Sequence, residues 1–183
     1  MNPLIIGIIA IVALAAVALI IIGQRRTRDL SEKFGPEYER TFQTMRDRGK
    51  TESELRKREE RVDQFNIRPL ASADRERFER NWHDDQARFV DDPRGAVKEA
   101  DRLVVDLMMV RGYPVGDFAQ RAADVSVDHP HVVEEYRTAH DIAERDARGE
   151  ANTEELRNAM VHYRALFQDL LIEDVPAHAE ASR

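Results

Sequence analysis

The residues in this chain best suited to chemistry are histidines and carboxylates between residues 124 and 144. Imidazole and carboxylate groups together can bind a transition metal. His131 and Glu135 are four residues apart and would share one helix face, and His140 with Glu144 repeats that spacing. The rest of the cluster consists of Asp124, Asp128, His129 and Glu134. The pattern makes His131, Glu135 and His140 the candidate metal ligands.

A metal site needs three or four converging ligands, and the spacings in this cluster match no common motif. The chain has neither a Glu-x-x-His pair of the di-iron bundle type nor a His-Glu-x-x-His zinc motif. A capped helix start with solvated charges explains the same residues. We therefore treat the three candidates as weak, and we predict no confident metal site and no cofactor.

Two Tyr-His pairs form the second group of candidates. Tyr136 with His140, and His162 with Tyr163, fall at or beside the apolar faces of two adjacent predicted helices. A buried tyrosine or histidine needs a hydrogen-bond partner, and usually finds another such side chain or a backbone group. We predict that these four residues pack in the core and do not form a catalytic site.

No catalytic motif occurs elsewhere in the chain. There is no cysteine nucleophile, no Gly-x-Ser-x-Gly elbow and no glycine-rich nucleotide loop. The turn from Arg111 to Pro114 has one glycine, which indicates a helix stop. Nucleic acid is disfavoured as a partner because the chain after Arg61 carries a net charge of −10 and would repel phosphate. The sequence therefore predicts neither an enzyme nor a nucleic-acid-binding protein.

The elements that must position these residues are helices, because apolar residues from Asn66 onward recur at spacings of three and four. We predict an all-α bundle of four or five helices over residues 66–172, followed by a flexible tail at 173–183. Ser72, Asp117, Asp128 and Asn152 are the predicted helix-capping residues, and Gly112 is a predicted stop. The clearest core face contains Val97, Ala100, Leu103, Val104, Leu107 and Met108.

Residues 24–65 are predicted to form a charged helical stalk. Only 7 of these 42 residues are apolar, so the segment cannot build a core alone. Gly35-Pro36 should interrupt the helix, which should resume from about Glu37 as one long or twice-broken helix. Its thin apolar stripe favours packing against the protein's own domain. A homodimer through a parallel coiled coil is the alternative.

Residues 1–23 contain the predicted membrane anchor. The twenty residues from Leu4 to Gly23 carry no charged or polar side chain, and as a helix they would cover roughly 30 Å of bilayer core. A cleavable signal would need a charged start and a cleavage site, and both are missing. Arg25, Arg26 and Arg28 follow the anchor at once, so the positive-inside rule predicts an outside N-terminus and a cytoplasmic C-terminal domain.

Four segments of the chain resemble an uncharacterised group of GC-rich bacterial proteins that have one N-terminal apolar segment and are usually labelled hypothetical or secreted. The segments are 31–38, 111–118, 125–130 and 153–167. The use of 24 arginines against 4 lysines is consistent with a GC-rich genome. The resemblance implies no known activity and transfers no catalytic residue.

These features favour a membrane-anchored helical protein of the interaction or scaffold class, acting at the cell membrane. Its partners would be the lipid bilayer, through residues 4–23, and a protein of unknown identity. The alternative is a metal- or small-ligand-binding helical domain tethered to the membrane.

Overall fold

The computed structural model describes Leu14 and residues 27–172, and all secondary structure in that part of the chain is helical. The all-α prediction is confirmed for these residues. No helix among them is long and apolar enough to cross a membrane. Apart from Leu14, the predicted anchor at 4–23 lies outside the described residues, as do Arg25, Arg26 and the predicted tail at 173–183. The chain divides into two compact units, one ending at Leu55 and the other starting at Arg56.

The first unit contains the helical segment 27–34, helix α1 (Pro36–Met45) and the start of helix α2 (Arg48–Val62). Gly35 interrupts the helix where the sequence predicts it, with a φ of 47° that glycine adopts without steric cost. A second break follows at Arg46, whose φ of 51° places it in the left-handed region. The helical run between residues 27 and 62 is therefore broken twice.

Local hydrogen bonds hold the helix ends of the first unit. The backbone N–H of Lys50 donates to Asp47 Oδ1 at 2.8 Å, which satisfies a free donor at the start of α2. The Thr51 hydroxyl donates to the Asp47 carbonyl at 2.8 Å. The Thr27 hydroxyl donates to Glu52 Oε1 at 2.5 Å and so links segment 27–34 to α2.

Between residues 66 and 172 the structure has five helices, which agrees with the predicted four or five. Helix α7 packs against both α4 and α6, while α3 packs on α4 and α5 packs on α6. The ring of Trp82 stacks on that of Phe167 with centroids 4.5 Å apart, which joins α3 to α7. All six residues of the predicted α4 core face are buried. The helices are α3 (Ser72–Arg88), α4 (Pro93–Arg111), α5 (Phe118–Asp128), α6 (Val133–Ala147) and α7 (Thr153–Ile172).

Most of these helices end where local chemistry predicts. The side chain of Asp117 accepts from the Gln120 N–H at 2.8 Å, and Asn152 accepts from the Glu155 N–H at 3.0 Å while Glu155 accepts from the Asn152 N–H at 2.9 Å. Gly112 closes α4 with a φ of 101°. A Cβ at that position would lie 2.3 Å from the Asn66 carbonyl oxygen, so only glycine fits there.

Two predicted caps are wrong. Ser72 lies inside α3, and the N-cap residue is Ala71, which makes no side-chain capping bond. Helix α5 continues through Asp128, and α6 is capped by Val132 without a side-chain bond. The Asp128 carboxylate instead accepts from the Tyr113 hydroxyl at 2.6 Å. Asp128 therefore bonds to the Tyr113 side chain and does not cap α6.

The last two turns of α2 belong to the second unit, although the sequence analysis placed them in the predicted stalk at 24–65. Arg61 Nε donates to Asp124 Oδ1 at 2.9 Å, and Arg58 donates to the Ser126 hydroxyl at 3.3 Å. Asp124 is buried, so this ion pair compensates a charge that would be costly alone. These contacts attach the end of α2 to α5.

Candidate functional site

The acidic and imidazole cluster found in the sequence does not form one site. Asp124 pairs with Arg61, and His129 Nδ1 lies 2.6 Å from Asp169 Oδ2 on α7. Three other carboxylates of the cluster each contact a different partner, so the carboxylates do not converge on one point. The remaining pairs are Asp128 with Tyr113, Glu134 with Arg137, and Glu135 with His162.

The three weak metal candidates also have separate surroundings. His131 is exposed just before α6, Glu135 is paired with His162, and His140 lies beside Phe118. Over residues 27–172 there is no group of three or more histidine or acidic side chains placed to hold a metal ion. The metal hypothesis stays a prediction, without a ligand set in the described residues to support it.

Asp101 on α4 is the centre of a polar group that joins three helices. Its Oδ1 accepts from the Tyr163 hydroxyl of α7 at 2.9 Å. The same oxygen lies 3.9 Å from Nδ1 of His140 on α6, which is an ion-pair distance and too long for a hydrogen bond. The predicted core role of Tyr163 and His140 thus depends on a carboxylate, whereas the sequence interpretation expected another ring or the backbone.

Burial and partners act in opposite directions on the Asp101 carboxyl. Burial alone would raise its pKa, but the His140 imidazole and the Tyr163 hydroxyl more than offset that effect and hold the pKa below its ordinary value. Burial and the adjacent Asp101 charge raise the pKa of the Tyr163 hydroxyl. The pair is therefore an ionised acceptor facing a neutral donor.

Aromatic rings enclose the other side of His140. Phe118 stacks on the imidazole with centroids 3.6 Å apart and an interplanar angle of 10°. Phe118 also contacts the Tyr136 ring at 5.0 Å, and Arg121 Nε donates to the Tyr136 hydroxyl at 3.2 Å. Burial raises the pKa of Tyr136 to about 12, although Arg121 acts in the opposite direction. These contacts fix the orientation of the His140 ring.

A groove of about 450 Å³ lies between α4 and α6 next to this polar group. Its lining residues are spaced at three, four and seven along each helix, so each helix presents one face to the groove. The apolar lining residues, which we call the floor, are Val97, Ala143 and Ala147. The wall residues are Arg94, Gly95, Lys98, Asp101, His140, Glu144 and Asp146.

Contacts between polar side chains of α4 and α6 bound the groove at both ends. Arg94 Nε lies 3.1 Å from Asp146 Oδ1 at one end, and Asp101 lies near His140 at the other. The seven steps along the helix from Arg94 to Asp101 correspond to about 10 Å. The groove therefore extends over about two helical turns, with an apolar floor and charges of both signs around it.

The described side chains that line the groove include no serine, threonine or cysteine. His140 can exchange a hydrogen bond with an occupant, and Lys98 and Glu144 offer one charge of each sign. Asp101 was not among the predicted site residues. The sequence does place this acidic residue on the core face of α4, four positions after Val97 and three before Val104, and that placement could have identified it.

Of the three arginines predicted to flank a membrane, Arg28 alone lies within the described residues. It is exposed, and its Nε donates to Glu32 Oε1 at 2.7 Å, one turn further along the helix.

No family model, no curated protein and no solved structure matches the chain.

Proposed function

We propose that this chain is a membrane-anchored interaction module that binds a segment of a protein partner in the groove between α4 and α6. The observation that carries the proposal is the groove's composition: an apolar floor of Val97, Ala143 and Ala147 surrounded by charged residues. An apolar centre inside a polar rim is the usual anatomy of a protein interface. A side chain of the partner would fill the floor, as an anchor residue does in a binding hot spot.

The membrane part of the proposal is supported by the sequence alone. Residues 4–23 have the length and composition of a spanning helix, and the arginines after them favour a cytoplasmic bundle. Two C-terminal reporters, one active only in the cytoplasm and one only outside, test this orientation. Activity of the outside reporter alone would reject the proposed compartment.

Site-specific photocrosslinking in native membranes tests the partner. A photoreactive residue at position 98, an exposed wall position of the groove, should give one discrete protein adduct, and Ala143→Arg in the same chain should remove it because the new side chain fills the floor. A photoreactive residue at position 119, which is exposed on α5, is the matched control. Equal adducts at both positions, or an adduct that persists with Ala143→Arg, would reject the groove as the binding surface.

Self-association is a separate alternative for the stalk. A homodimer through residues 24–65 would place two bundles on one membrane patch. Light scattering of the detergent-solubilised full chain should give the mass of one chain if the stalk is only a spacer, and of two chains if it is a dimerisation element.

A further inference from the structure

A pocket with a polar lining lies at the contact between α3 and α4. Asp85 of α3 is only 3% exposed, and neither of its carboxylate oxygens has a hydrogen-bond partner among the described residues. Trp82 is one turn earlier on the same face, and its buried indole N–H also has no acceptor in that part of the chain. A buried carboxyl without a partner is costly, so it requires an explanation.

The Asp85 side chain borders a pocket of about 430 Å³. Every residue around the pocket is polar or charged, in contrast to the apolar floor of the groove between α4 and α6. The lining residues are Asn81, Asp84, Asp85, Arg88, Glu99 and Arg102.

The charges around the pocket leave one negative charge unbalanced when Asp85 is ionised. Glu99 is neutralised by Arg102, whose Nε donates to Glu99 Oε2 at 3.0 Å. Arg88 acts electrostatically on both Asp85 and Glu99. The lining residues include three acidic and two basic side chains, so one negative charge is left over when Asp85 is ionised. One monovalent cation would balance the pocket.

The electrostatics at Asp85 agree with this count. Burial raises the pKa of Asp85 to about 7, Glu99 and Asp92 act in the same direction, and Arg88 opposes them. A bound cation would stabilise the carboxylate and lower that pKa. A metal ion is a poorer fit than an organic cation, because the described residues contain no group of three acidic or histidine side chains placed to hold one.

We propose that the pocket between α3 and α4 binds an ammonium or guanidinium group, with Asp85 as its counter-charge and hydrogen-bond acceptor. A nitrogen cation supplies both the missing charge and N–H donors for a carboxylate. Because both Asp85 oxygens are buried, the side chain must turn towards the pocket to accept them. Such a group occurs on a small free amine and on a lysine or arginine side chain of a peptide. The site does not depend on the groove between α4 and α6.

Trp82 provides the readout, because it is the only tryptophan in the chain and lies one turn from Asp85. The full chain in detergent is titrated with methylguanidinium, ethylammonium and an uncharged-ended Gly-Arg-Gly peptide while fluorescence is followed. We expect saturable binding that is about 10-fold tighter at pH 8 than at pH 6, because the ionised fraction of a carboxyl with a pKa near 7 changes by that factor. Tighter binding of the peptide would identify a protein side chain as the source, and tighter binding of the free cations would identify a small amine.

Asp85→Asn should weaken binding at least 10-fold, since it keeps the shape but removes the charge. Glu79→Gln, at an exposed position of the same helix, is the matched control and should leave binding unchanged. Arg88→Gln should strengthen binding because it removes the competing positive charge, and this exposed substitution tests the site even if Asp85→Asn unfolds the chain. No saturable signal with any probe, equal binding by Asp85→Asn, weaker binding by Arg88→Gln, or saturation by Mg²⁺ instead of the nitrogen cations would each overturn the proposal.

Discussion

Asp101 and Asp85 are two acidic residues on the packed faces of helices, and their surroundings shift their pKa values in opposite directions. Asp101 has the Tyr163 hydroxyl and the His140 imidazole beside it, and its pKa is lowered. Asp85 has no hydrogen-bond partner among the described residues and faces Glu99, and its pKa rises to about 7. Burial alone thus does not decide the charge of a carboxyl in this bundle. The groups on the neighbouring helices decide it.

The two residues therefore contribute to stability with opposite pH dependence. For Asp101, whose folded pKa is lowered, the stabilisation is present above the ordinary pKa and is lost as the pH falls through the folded value. For Asp85, whose pKa is raised from 3.8 to about 7, stability is highest below pH 3.8 and declines as the pH rises to about 7.

The largest effect is expected from removing the acceptor in the first site. Asp101→Ala leaves the Tyr163 hydroxyl buried without its acceptor, and should lower the free energy of unfolding by about 2 kcal/mol. Asp101→Asn keeps an oxygen acceptor and should cost less than half as much. Urea unfolding of the full chain at pH 7 measures both values. Equal losses for the two variants would mean that the charge matters and the acceptor does not.

At the second site, removing the charge should stabilise the protein. Asp85→Asn should raise the free energy of unfolding by on the order of 1 kcal/mol at pH 8, because the variant no longer buries an unpaired carboxylate. At pH 4 Asp85 is protonated in the folded protein, so the gain should shrink towards zero. The same urea measurement at both pH values tests this. An equal gain in the free energy of unfolding at both pH values would mean that it does not come from removing the ionised form of Asp85.

A smaller effect is expected from the ring that covers His140. Phe118→Leu removes a stacked contact with His140 and a tilted contact with Tyr136, and should cost about 1 kcal/mol. Val161→Ala, at an exposed position of α7, is the control and should change stability by less than about 0.5 kcal/mol. Thermal unfolding followed by circular dichroism compares the two variants. Equal shifts would show that the stack adds nothing beyond general apolar contact.

The smallest effect is expected at the rim of the groove. Glu144 lies 3.5 Å from His140 Nε2 and is mostly exposed, so Glu144→Gln should change stability by less than about 0.5 kcal/mol. A loss of more than about 1 kcal/mol in the free energy of unfolding, measured in urea at pH 6, would mean that Glu144, and not Asp101, holds His140 in place.

The helices of the second unit and several of their ends were predictable because the responsible interactions are local. Asp117 and the Asn152–Glu155 pair act within one helical turn, and Gly112 ends its own helix. Asp128 shows where this reasoning fails. Its sequence context favours a helix cap, but the Tyr113 hydroxyl, from a turn fifteen residues earlier, takes its carboxylate instead.

The candidate sites were less predictable because their partners come from distant parts of the chain. The two residues in the bond between Tyr163 and Asp101 are separated by 62 positions, and those in the pair of His129 and Asp169 by 40. Asp85 follows Phe78 and Trp82 on one helix face, so its position among apolar residues was visible in the sequence. The sequence did not show that Asp85 lacks a hydrogen-bond partner among the described residues.

The sequence by itself determined the helical class, the main core faces and the ends set by local hydrogen bonds, because helix periodicity and capping depend on residues within a few positions of each other. Only the tertiary structure decided which carboxylates are paired. That outcome depends on which helix faces meet, and a contact between α4 and α7 or between α3 and α4 has no counterpart in local spacing. The two acidic residues at the centre of this comparison differ for that reason alone.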